Sequence, residues 1–76
     1  MKWVVLESKM LSAAAYDQAK QELYLRFRKN GQVYRYFEFT AAENRAFLTA
    51  ESKGRFFRAR IRDHFRCERM AKLHAA

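Results

Sequence analysis

Few residues in this sequence are equipped for chemistry, and most lie in its second half. His64, Cys67 and Glu68 follow one another at intervals of three and one, which on a helix would turn two or three metal ligands to one side. A tetrahedral zinc site needs about four ligands, and the sequence offers no second cysteine and only one further histidine, His74. No metal and no cofactor are therefore expected. His64 reads as a residue packed at an apolar face, and Cys67 as an ordinary small side chain. Asp63 and His64 are neighbours, so on a helix they point about 100° apart and cannot form a hydrogen-bonded dyad. Gly31 and Gly54 are the only glycines, too few for a phosphate-cradling loop. The chain is expected not to be an enzyme; a metal-independent ribonuclease using His64 with a nearby Lys or Arg is the remotest alternative.

Arginine offers more. The formal net charge is +8, and ten of the 16 basic residues are Arg. Residues 53–72 hold eight basic and two acidic side chains, so three quarters of the excess charge lies in the last third of the chain. The guanidinium fork suits phosphate and stacks on bases. A concentrated basic segment on a folded domain points first to nucleic acid, then to an acidic protein or membrane surface. Placed on a helical wheel, Arg58, Arg62, Arg66 and Arg69 form a stripe beside a narrow apolar face of Phe57, Ile61 and Phe65. Such a stripe could follow a phosphate backbone; it could equally be a solvated flank.

The elements that must position these groups follow from periodicity. Trp3 to Leu6 is apolar and β-branched and reads as a short strand. Ala13 to Asp17 is ambiguous, since alanines suit a helix. Gln21 to Lys29 alternates, with Leu23, Leu25 and Phe27 on one face. Asn30-Gly31 is a hairpin signal, and Gln32 to Phe39 is the return strand. A two-residue loop would set Phe27 beside Tyr34 and Leu25 beside Tyr36 on a core face. The other face would then carry Arg26 beside Arg35, Arg28 beside Val33 and Tyr24 beside Phe37, with the two arginines repelling unless an anion lies between them. Tyr34 and Tyr36 have two readings, core aromatics or a stacking platform for single-stranded bases; the register favours the core. The opposite face, with Tyr24, Arg26, Arg28, Arg35 and Phe37, is then the better stacking and phosphate candidate.

Thr40-Ala41-Ala42-Glu43 is a capping box that opens a helix running to about Glu51. Ser52 is expected to cap a second helix, which nothing interrupts until about Leu73. Gly54, between the two patterns, is expected to meet either a positive φ or a close backbone.

These residues together resemble the KTSC domain family. The resemblance rests on Tyr34-Arg35-Tyr36-Phe37 after a glycine turn, then Ala50-Glu51-Ser52-Lys53-Gly54-Arg55-Phe56-Phe57, then Ile61-Arg62. Tyr16-Asp17 also matches the family's Tyr-Asp before its first long strand. The family occurs at the C-terminus of some lysyl-tRNA synthetases and as short bacterial proteins. Its hallmark is Tyr-x-Tyr, here Tyr34 and Tyr36, followed by Ser52, Lys53 and Gly54. The resemblance implies a bacterial domain to which RNA binding has been attached only as a suggestion. It covers about residues 6–65, with an extra helical tail over about 66–76.

At 76 residues, 50% hydrophobic and 16% aromatic, the chain is long enough for one small core and not for two. No stretch approaches the ~20 apolar residues of a membrane span, and the Trp3–Leu6 run is too short for a secretory h-region. One cysteine fits a reducing compartment, so a cytoplasmic location is expected. The expected architecture is α+β over residues 1–76: an antiparallel sheet of three to four strands, then two helices packed on one face. The expected function is non-catalytic RNA binding through Arg58, Arg62, Arg66 and Arg69, helped by Arg26 and Arg35. A protein-interaction or homodimerisation module is the alternative.

Overall fold

The computed structural model describes residues 1–70. Its chain forms a five-stranded antiparallel meander in spatial order β1-β2-β3-β4-β5. The strands are β1 (Trp3–Val5), β2 (Leu11–Asp17), β3 (Glu22–Phe27), β4 (Val33–Tyr36) and β5 (Cys67–Arg69). Between β4 and β5 lie α1 (Ala41–Thr49) and α2 (Lys53–Phe56), the latter continuing into a π-helical turn at Phe57–Ile61. The ambiguous alanine run is strand: Ala13, Ala14 and Ala15 are all buried, where neighbouring strands leave room only for small side chains. Among the described residues no helix is long and apolar enough to cross a membrane.

The two central hairpins share one loop design. Residues 18–21 join β2 to β3 and residues 28–31 join β3 to β4, and in each the last loop residue is left-handed: Gln21 at φ 54° and Gly31 at φ 71°. In the second loop the Gly31 amide donates to the Phe27 carbonyl at 2.9 Å, and the Phe27 amide donates to the Gln32 carbonyl at 2.8 Å. Asn30 uses its side chain instead of a positive φ, its Oδ1 accepting from the Gln32 amide at 3.0 Å. A two-residue type I′ turn needs positive φ at both central positions; here only Gly31 has it, so the loop is four residues long. The register consequently differs from the expected one by two. Leu23 faces Tyr36, Tyr24 faces Arg35, Leu25 faces Tyr34 and Arg26 faces Val33. A shift of two leaves every side chain on its expected face and changes only its partner, so the anticipated contact of Arg26 with Arg35 does not form.

The main core lies between the helices and one face of the sheet. Leu11, Ala14, Leu23, Leu25 and Tyr36 from the strands pack with Leu6, Phe39, Phe47, Phe57 and Ile61. A smaller cluster on the opposite face joins Ala15, Tyr24 and Val33 with Trp3 and Met70. The Thr40–Glu43 capping box forms as the sequence dictates. Ser52 caps α2, its Oγ accepting from the Arg55 amide at 3.2 Å.

The expected long second helix ends at Ile61. The Arg62 amide donates to the Phe57 carbonyl at 2.8 Å, closing the π turn. Arg62 is itself extended, and Asp63 is left-handed at φ 66°. The reversal swings Phe65 onto Phe39, with ring centroids 5.0 Å apart, and delivers Cys67–Arg69 to the bare edge of β4. Helix propensity is a weak preference that tertiary pairing overrides: the same Phe57, Ile61, Phe65 spacing buries its apolar groups by this route and also pairs an exposed strand. The sheet therefore has five strands, not three to four, and residues 67–69 of the expected helical tail are a strand. Residues 71–76 of that tail lie outside the described residues.

Candidate functional site

The helix-bearing face of the sheet does not close completely. Between β4, the hairpin loop after β3 and the π turn it leaves a groove of about 720 Å³. Its aromatic lining is Phe27, Tyr34, Tyr36 and Phe57. The Phe57 ring stands edge-on to Phe27 at 5.3 Å and to Tyr36 at 6.0 Å, and Phe27 stands edge-on to Tyr34 at 5.6 Å. Four exposed cations line the same groove: Lys9, Lys29, Arg58 and Arg62. Met10, Asn30 and Cys67 complete it, and among the described residues no carboxylate lines it.

Local structure fixes each wall. The segment 7–10 is held down by Arg28, whose guanidinium donates to the Ser8 carbonyl at 2.8 Å and the Leu6 carbonyl at 2.9 Å. Ser8 Oγ accepts from the amides of Met10 and Leu11 at 3.1 and 3.2 Å. These bonds set Lys9 and Met10 at the groove, and they commit Arg28 to structure, not to the phosphate role considered for it. On the other wall Lys53 Nζ donates to the Ala50 carbonyl at 2.6 Å, tying the end of α1 to the start of α2. Gly54 has neither a positive φ nor a backbone against it. A Cβ there would lie 3.6 Å from Met10 Cβ and 3.7 Å from Ser8 Oγ, ordinary contact distances. Ser52, Lys53 and Gly54 thus form the joint that seats the π turn, with Arg58 and Arg62, beside the segment carrying Lys9. Tyr16 is likewise architectural, its hydroxyl donating to the Phe39 carbonyl at 2.6 Å.

The core reading of the Tyr-x-Tyr pair holds for Tyr36 and in part for Tyr34. Tyr36 is only 4% exposed and belongs to the core, while Tyr34 is half-buried, and both line the groove. Burial pushes the Tyr36 hydroxyl far above its ordinary value of 10.0, helped by its neighbours Cys67 and Tyr34.

The six arginines singled out in the sequence do not form one surface, because the helix that would align four of them is not there. Arg58 and Arg62 line the groove. Arg69 lies in β5 opposite Tyr34, on the same side of the sheet. The others belong to the open face. Arg66 packs its guanidinium 4.1 Å from the Phe37 ring centroid, Arg35 lies 4.9 Å from the same ring, and Arg26 lies 4.9 Å from Trp3. Arg35 is also ion-paired with Glu68 and, at 3.8 Å, with Glu22. Its bond to Glu68 first, then its contact with Tyr24, raise its pKa above the ordinary arginine value.

Sequence reasoning missed Lys9, Met10, Lys29, Asn30 and Cys67 as groove residues. Lys29 and Asn30 were legible as hairpin-loop positions beside Tyr34. Cys67 was not, because its place depends on β5. His64 sits in the turn before β5 and Cys67 on the strand itself, so their helical spacing does not exist.

The KTSC domain family model matches residues 7–65 of this chain. A protein of Tsukamurella paurometabola is 41% identical over 61 residues, which cover 80% of this chain and 90% of that protein. The crystal structure of a KTSC domain protein from Yersinia pestis is similar with a TM-score of 0.87 at 28% identity, covering 92% of this chain and 97% of that one. The matched span takes in Tyr34 and Tyr36, which line the groove, and Ser52, Lys53 and Gly54, which form the joint behind it; the chain belongs to the KTSC domain family.

Proposed function

We propose that this domain binds RNA, without catalysis, through the groove on the helix-bearing side of its sheet. The observation that carries the reading is a set of four exposed cations around an aromatic lining with no carboxylate among them. Neither Arg58 nor Arg62 forms an ion pair among the described residues. Unpaired guanidiniums at an open rim suit phosphates that stay partly hydrated, and adjacent rings suit bases. The +8 net charge favours encounter with a polyanion at low salt.

The test is retardation with pooled single-stranded RNA, duplex RNA and DNA, followed by a salt titration. Replacing Arg58 and Arg62 together with Gln removes two charges at exposed positions, one in the π turn and one just after it. The slope of log affinity against log salt should become shallower by about 1.4, at about 0.7 for each single-strand phosphate no longer neutralised. A folded double variant with unchanged affinity and slope would remove the groove from the reading.

Self-association is a second reading, favoured by one observation. The large hydrophobics exposed among the described residues, Met1, Val4, Val5 and Leu48, lie in or beside edge strand β1 and on α1. Val4 and Leu48 share a shallow hollow of about 240 Å³. The outer backbone groups of an apolar edge strand pair with another strand, and a second copy presents the same one. Val5→Lys should abolish any concentration-dependent dimer seen by sedimentation.

A further inference from the structure

We infer that the groove seats an unpaired nucleotide, with its phosphate at Arg58 and Arg62 and the polar edge of its base hydrogen-bonded to the Tyr36 hydroxyl. This rests on the RNA reading above and specifies what that groove takes. The first observation is an unused polar group. Tyr36 is 4% exposed, and buried hydroxyls normally have a partner. Its hydroxyl has none among the described residues. The hydroxyl is not sealed off either, since the buried, unpartnered side-chain polar atom among those residues is Arg35 Nε. The opening available to it is the groove that Tyr36 lines.

The second observation is the layering of charge. Arg58 and Arg62 are exposed, whereas Tyr36 and Phe57 are buried. Charge is therefore available at the rim, and at depth the described residues offer a neutral hydroxyl between rings. A phosphate carried to that depth would lose its hydration to a single neutral donor, which is unfavourable. A base loses little there: it stacks on aromatic rings and presents both donors and acceptors at its edge. A hydroxyl can serve either. A tyrosine hydroxyl is protonated at neutral pH, so it remains a donor as well as an acceptor. A cavity of about 720 Å³ falls within the usual range of small-ligand sites, about 300–1,000 Å³. In a duplex the same base edge is already paired, so only an unpaired nucleotide can use the hydroxyl.

Tyr36→Phe tests this by removing one oxygen that has no protein partner. Thermal unfolding near neutral pH should be unchanged, confirming that the fold is intact. Binding is read by fluorescence anisotropy on short labelled oligo(A), oligo(C) and oligo(U), and on an RNA duplex of the same length. The wild-type chain should prefer single strands and discriminate among the three bases. The variant should lose about fivefold to tenfold on the preferred base, the scale of one hydrogen bond, with discrimination reduced and the salt slope unaltered. A variant equal to wild type on every probe overturns the inference, as does a wild type that binds duplex as tightly as single strands. In both cases a salt slope that still depends on Arg58 and Arg62 would leave the RNA reading standing. Absence of binding to any nucleic acid would overturn both together.

Discussion

The two faces of the sheet carry similar materials in different states. On the groove side stand Arg58, Arg62 and Arg69 with Phe27, Tyr34, Tyr36 and Phe57. On the open side stand Arg26, Arg35 and Arg66 with Trp3, Tyr24 and Phe37. Open-side arginines are occupied: each lies against a ring, and Arg35 is further held by two carboxylates. Among the described residues the groove's rim arginines face none. A count would rank the faces equal in arginines, three against three, and nearly so in aromatics, four against three. Availability separates them most clearly at Arg35, because a cation already neutralised within the chain gains little by exchanging one anion for another; Arg26 and Arg66 keep their charge and are held against rings.

The sharpest way to break this comparison is through the tyrosines. Tyr36→Ala should destabilise the domain by about 3 kcal/mol or more, since a buried ring leaves a cavity the core cannot refill. Tyr34→Ala, from a half-buried site, should cost ~1–2 kcal/mol. Denaturant midpoints give both values, and equal losses would mean that Tyr34 is as much a core residue as Tyr36.

Alkaline pH supplies the next largest effect. An unfolded tyrosine ionises from pH 10.0, whereas Tyr36 in the fold stays protonated beyond it. Its contribution is thus fully present below pH 10 and is lost as the pH rises further, with a slope of up to about 1.4 kcal/mol per unit. Tyr16 acts in the same direction, raised by burial first and then by Glu43 and Asp17. Urea midpoints followed upward from neutral pH should fall less steeply for Tyr36→Phe than for wild type. Identical slopes would show that Tyr36 is not shielded in solution.

Gly54→Ala probes the joint behind the groove. With only ordinary contacts for the new Cβ, the substitution should stabilise by ~0.5–1 kcal/mol through reduced unfolded-state entropy. A loss of stability would show that segment 7–10 packs closer to α2 than these distances allow. The smallest effect is expected on the open face. Arg35→Gln combined with Arg66→Gln should leave the salt slope of RNA binding where it was. If it falls as much as for the groove pair, the two faces act as one surface.

Much of the architecture was legible because it depends on neighbours in sequence. Thr40 and Glu43 bond across three residues, Ser52 caps three residues ahead, and strand alternation assigned Leu23, Leu25, Tyr34 and Tyr36 to one face. The register was out by two because it turned on whether Asn30 would take a positive φ or use its side chain, a choice that costs little either way. Strand β5 was not legible. Arg62 to Arg69 is a good helical stretch by composition, and only the unpaired edge of β4, distant in sequence, makes it a strand. The groove fell with it, since Cys67 and the π turn acquire their places from that reversal. The six arginines were identified as residues but not as two groups.

The way β5 is joined to the sheet also bears on how the molecule folds. β1 to β4 form from successive hairpins whose loops are four to five residues long, and such local closures are fast. Pairing Tyr36 with Cys67 instead encloses the thirty residues 37–66, so the chain must order both helices and the π turn before that contact repays its closure entropy. β5, three exposed residues long, should consequently be the last strand to dock and among the first to open. Its amide bonds at Phe37 and Met70 should exchange hydrogen through local opening, and those of the central hairpin only when the whole sheet comes apart.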